Sequence, residues 1–90
     1  MTLTLHIADD ASGRYLARVF EGSVKVGEST VHGRMDEAIA WYGNPSSLPG
    51  VAAFCVWYGG WCAGTFALQE MREQAQDIAD RLRVLAVVVR

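Results

Sequence analysis

The chain has ninety residues and a net charge of −2, with 51% hydrophobic and 20% charged residues. Two cores would each be too small to offset chain ordering without metals or cross-links, so one domain spanning residues 1–90 is expected. The composition excludes disorder, and the mild acidity gives no general attraction to phosphate backbones or anionic lipid, which disfavours nucleic acid as a partner.

The opening residues, MTLTLHIADD, hold no basic n-region, no apolar block of adequate length and no small-residue cleavage site. They do not read as a secretion signal, so a cytoplasmic location with reduced cysteines is expected. Leu3, Leu5 and Ile7 alternate with Thr2, Thr4 and His6, which marks a strand with one buried face. DDASG supplies turn residues. RYLARVF and SVKVGES then read as two further strands joined at Glu21-Gly22, placing Val19 opposite Val24 and Ala17 opposite Val26. In that meander Arg14, Arg18 and Lys25 share the outer face, with Arg18 directly across from Lys25. These three side chains are the candidate anion-binding set. The glycines of GSVKVG lack the Lys-Ser/Thr of a phosphate loop, so the segment is read as hairpin strand.

From Arg34 to Tyr42, the positions Met35, Ala38, Ile39 and Tyr42 follow helical spacing, and Gly43 can end the helix. NPSSLPG is a loop by composition. The stretch from Ala38 to Gln69 has no formal charge, and residues 51–68 approach the length of a membrane span. Its centre is Trp57, Tyr58, Gly59, Gly60 and Trp61, whereas spanning helices keep aliphatic residues at the centre and such aromatics at the interfaces. A hairpin is expected instead, turning at Gly59-Gly60 with Tyr58 facing Trp61, Trp57 facing Cys62 and Val56 facing Ala63. One face then carries Phe54, Val56, Tyr58 and Trp61, and the other Cys55, Trp57, Cys62 and Phe66. Two apolar faces fit a hairpin that is covered on both sides, or covered on one and available for recognition on the other.

Leu68, Met71, Ala75, Ile78, Ala79 and Leu82 form the stripe of a second helix, with Thr65 as a cap and Asp77 paired to Arg81. VLAVVV, residues 84–89, does not alternate and reads as a strand buried on both faces. The expected fold is therefore α+β, a mainly antiparallel β-sheet with two α-helices packed on one face, in the order β-β-β-α-β-β-α-β.

DDASGRYLARV, the later GES and DEAI together resemble the N-terminal part of HicB-type antitoxins, in which two strands lead through a Gly-acid-Thr turn into a Glu-Glu-Ala helix. The resemblance covers about forty residues. TVHGR intervenes between turn and helix, and the family's Pro-Gly-Cys segment is missing, so no function is carried over.

Chemistry is sparse. Cys55 and Cys62 lie diagonally on one hairpin face, not in a Cys-x-x-Cys motif, and read first as two small buried hydrophobes. With His6 and His32 they make the inventory of one zinc site without its spacing, so no metal or cofactor is expected. Asp9-Asp10 and Asp36-Glu37 are explained by a turn and by a helix N-terminus. Trp41, Trp57, Tyr58 and Trp61 are the candidate partner-binding residues, because Trp and Tyr combine large rigid area with a polar handle. The expected function is a small non-catalytic binding protein that engages a protein partner or itself, as a homodimer, in an inhibitor, immunity or antitoxin-like role. The alternative is a small-molecule-binding protein or small enzyme with a pocket lined by Trp57, Cys55, Cys62 and one histidine.

Overall fold

The computed structural model describes residues 1–88. Five strands form one sheet: β1 (Thr2–Asp9), β2 (Tyr15–Glu21), β3 (Val24–His32), β4 (Ala53–Tyr58) and β5 (Trp61–Ala67), in the spatial order β3-β2-β1-β4-β5. Three helices accompany them: α1 (Met35–Tyr42), α2 (Leu68–Glu73) and α3 (Ala75–Val88). The architecture is α+β. The sheet is mixed: β1-β2, β2-β3 and β4-β5 pair antiparallel, while β1 and β4 run parallel. Parallel neighbours need a long connection, and here it runs through β2, β3 and α1 before the chain returns as β4.

β1 is the central strand, yet its residues alternate. Leu3, Leu5 and Ile7 are buried, whereas Thr4 and His6 are half-buried on the other side. A strand covered on both faces would be apolar throughout. The alternation at the centre of the sheet therefore means that one face carries the core. Register extends that face to Ala17 and Val19 of β2, to Phe54 and Val56 of β4, and to Phe66 of β5. The helices close over it with Met35, Ala38, Ile39 and Tyr42 from α1, Met71 from α2, and Ala75, Ile78, Ala79 and Leu82 from α3. The α1 stripe falls where its spacing places it.

Several expectations need correction. The β2-β3 turn sits one residue later than expected, so Val19 faces Val26 and Phe20 faces Lys25. Beyond that point the register shifts, and Ala17 faces Thr30. The Arg18-Lys25 pair is thus not formed. In the second hairpin Tyr58 faces Trp61 and Trp57 faces Cys62 as expected, but a bulge then places Val56 opposite Gly64 rather than Ala63. Gly64 takes a φ of 124°, which a residue with a Cβ rarely adopts. One inserted residue reverses every later side chain, so Phe66 turns into the core instead of joining Cys55 and Trp57.

The C-terminal segment differs most. Residues 84–88 continue α3 rather than forming a strand, and Val89, the last residue of the expected strand, lies outside the described residues. Leu82 and Ala86 are buried, while Val84 and Val87 are 58% and 73% exposed. The reason is periodicity: Ile78, Leu82 and Ala86 prolong the i, i+4 stripe, and burying it outweighs the few tenths of a kcal/mol by which each valine disfavours helix. The expected single second helix is also divided, since Gln74 adopts φ −120° and ψ 24° between α2 and α3. Thr65 is not the cap. Ala67 precedes α2, and its N–H donates to Glu70 Oε1 at 3.0 Å. Arg81 turns from Asp77 toward the sheet, donating to the Ala63 carbonyl at 3.5 Å and lying 5.9 Å from the Phe66 ring centre.

Gly43 ends α1 for a reason other than handedness, because its φ is −70°. A Cβ there would lie 2.9 Å from the Leu68 carbonyl oxygen and 3.0 Å from Arg72 N. The absent side chain lets α1 abut α2. Arg72 seals the junction by donating from Nη1 to the Gly43 carbonyl at 2.5 Å.

Candidate functional site

The helices leave the second face of the sheet uncovered. Its side chains follow from register as rows across the strands: Lys25, Phe20, Thr4, Cys55 and Thr65 in one, and Arg18, His6, Trp57 and Cys62 in the next. Leu16 and Val31 extend it toward the β3 edge. The surface combines aromatic and aliphatic groups with two cations. No Asp or Glu occupies a strand position on it, although the whole chain is net negative. Six of the ten carboxylates stand on the helices instead: Asp36, Glu37, Glu70, Glu73, Asp77 and Asp80. Arg72, Arg81 and Arg83 stand among them, so the helices are acidic only on balance, while the uncovered face is basic.

Local contacts order the middle row. His6 Nε2 lies 2.9 Å from the Gly59 carbonyl oxygen, a geometry in which that nitrogen carries the proton. Nδ1 is then the acceptor, and Arg18 Nη2 approaches it at 3.4 Å. The Arg18 guanidinium also lies 5.8 Å from the Phe20 ring centre, and its Nε is buried with no hydrogen-bond partner among the described residues. Next to Trp57, the Cys55 and Cys62 sulfurs are 3.2 Å apart, and both cysteines are free. Burial, followed by the hydrogen bond with Cys55, pushes the Cys62 thiol above its ordinary range.

The four aromatic candidates do not gather on one surface. Trp57 alone lies on the uncovered face, flanked by His6 and Cys62. Tyr58 and its partner Trp61 belong to the helix side, where Tyr58 donates to Asp9 Oδ1 at 2.6 Å and packs edge-on against Tyr15 at 6.2 Å. Trp41 is on α1, 44% exposed and 4.8 Å from the Tyr42 ring centre. Among the anion-binding candidates, Arg18 and Lys25 share the uncovered face, and Lys25 Nζ donates to the Gly27 carbonyl at 2.8 Å. Arg14 precedes β2 and is exposed at its margin.

A concavity of about 320 Å³ opens on the opposite side, between β3, α1 and the loop after α1. Val19, Val26 and Leu48 line it with Thr30, Trp41 and Tyr42. Thr30 Oγ1 lies 2.9 Å from Tyr42 Oη and 2.8 Å from His32 Nε2, so one hydroxyl links β3 to the helix. Burial lowers the His32 pKa, and the Glu37 carboxylate opposes that shift. The pocket residues expected around Trp57, Cys55 and Cys62 thus sit on an open surface with His6, while the concavity is built from other side chains. Its polar lining was missed because Thr30 and Ser47 carry no motif and meet Tyr42 and Trp41 only through the fold.

Among the described residues no three His, Cys, Asp or Glu side chains gather as metal ligands, and no helix is long and apolar enough to cross a membrane. Comparison with known protein families, curated proteins and solved structures finds no match to this chain.

Proposed function

We infer that the chain is a small non-catalytic binding protein whose protein partner docks on the uncovered sheet face, with Trp57 at the centre of the contact. The observation that carries this reading is a face whose apolar groups, Trp57, Phe20, Leu16 and Cys55, are interrupted by cations but by no carboxylate. An aromatic anchor surrounded by half-buried apolar groups is the usual composition of an interface centre. Arg18 and Lys25 select a partner surface rich in carboxylates. They disfavour a second copy seated face to face, which would bring like charges together. Arg18 has the planar donor set for a bidentate carboxylate contact, and its packing on Phe20 holds the guanidinium in place.

The test couples light scattering of the purified chain with affinity capture from its host lysate, using the wild type, Trp57→Ala, Arg18→Glu and Val84→Ser. A captured partner should be retained by Val84→Ser and weakened about tenfold or more by Trp57→Ala and by Arg18→Glu, with circular dichroism unchanged. Its capture should also fall as salt rises. A dimeric mass abolished by Trp57→Ala would identify the partner as a second copy. Retention of every partner by both sheet variants would remove the face from the interaction.

A further inference from the structure

Cys55 and Cys62 stand on the two arms of the β4-β5 hairpin, with their sulfurs in direct contact at 3.2 Å. Strand register alone does not produce that contact. Cys62 faces Trp57 and Cys55 faces Thr65, so the cysteines are diagonal neighbours, a relation that leaves Cα atoms about 7–8 Å apart in a regular ladder. The ladder is irregular at this point. Its bulge lies between Cys62 and Thr65, and a bulge adds local twist. The tight turn at Gly59-Gly60 fixes the other end of the ribbon, and both thiols are free and half-exposed on the uncovered face.

We propose that Cys55 and Cys62 are a reversible dithiol-disulfide couple, closed by exchange with a low-molecular-weight disulfide such as oxidised glutathione. In the first step one cysteine releases its proton to solvent and attacks a glutathione sulfur. The glutathione S–S bond breaks, a mixed disulfide forms, and one glutathione leaves as thiolate and is protonated. The second cysteine, deprotonated in turn, attacks the protein-side sulfur of that mixed disulfide. The Cys55-Cys62 bond forms and the second glutathione leaves. Two protein thiols are oxidised while one disulfide is reduced to two thiols. Both cysteines are half-exposed, so either can open the exchange and the other resolves it.

Nothing in this couple depends on what docks beside it. The folded chain is equilibrated in reduced and oxidised glutathione, quenched with acid and weighed by mass spectrometry, with tryptophan emission followed in parallel. The expected end state is a chain lighter by two hydrogen atoms and free of glutathione, restored by reductant. Trp57 emission should change on closure, because Cys62 faces Trp57. Cys55→Ser and Cys62→Ser should each stop at a single glutathione adduct. The ratio of closed to open form should be about tenfold or more higher in buffer than in urea, where the segment must be closed from an open ensemble. A wild-type end state carrying glutathione, a cross-linked dimer, or a closure ratio no greater folded than unfolded would overturn the proposal.

Discussion

His32 shows how one side chain couples the core to pH. Its Nε2 meets Thr30 Oγ1 at 2.8 Å, and its ring lies 5.9 Å from Trp41 and 6.5 Å from Tyr42, so the imidazole is the outer end of a chain leading to a buried tyrosine hydroxyl. Burial lowers its pKa in the folded chain, so the unfolded chain binds the extra proton more readily. Stability from this source is fully present above the unfolded value, and it declines as pH falls through that value toward the folded one. Thermal midpoints should therefore drop between about pH 7.5 and pH 5.5, and His32→Gln should flatten that part of the profile. An unchanged slope in the variant would assign the pH dependence to other groups.

At the scale of elements, α3 separates two readings of the same residues. If 84–88 were strand buried on both faces, polar substitution at Val84 would be severe. In the helix Val84 points outward while Leu82 is fully buried. Leu82→Ala should cost about 2–5 kcal/mol in urea denaturation, whereas Val84→Ser should stay within about 0.5 kcal/mol. Elements with a clean period were legible in the sequence: the alternation of β1, the stripe of α1, the glycine turn between Tyr58 and Trp61. Three features were not. The Ala63-Gly64 bulge adds one small residue whose effect appears only as Phe66 facing inward. The valine run masks a stripe that Leu82 and Ala86 continue. The break at Gln74 leaves no local mark, because both flanking segments keep the same buried face. The uncovered surface was half legible. Trp57, Cys55 and Cys62 were placed together from the hairpin alone, but His6 and Arg18 join them only through the parallel β1-β4 pairing and the β1-β2 register.

At the scale of the molecule, one apolar cluster of described residues joins β1, β2, β4 and β5 to α1, α2 and α3. Unfolding should then be one cooperative transition, with a stability of about 5–13 kcal/mol for a chain of this size. Far-UV circular dichroism and tryptophan emission should give coincident urea curves. Leu5→Ala, at the centre of the sheet, should shift both together by about 2–5 kcal/mol. Separated curves would show that the helices leave the sheet before it melts.

The rims of the sheet decide how anything can join it. β3, on one rim, loses its regular pairing with β2 between Val26 and Thr30, and β5, on the other, is interrupted at Ala63-Gly64. Irregularities of this kind twist an edge strand and disfavour annexation of an extra strand and the fibre growth that follows from it. The partner proposed for the broad surface would then be read through side chains, and sequence changes there should alter recognition while the backbone ladder stays as it is.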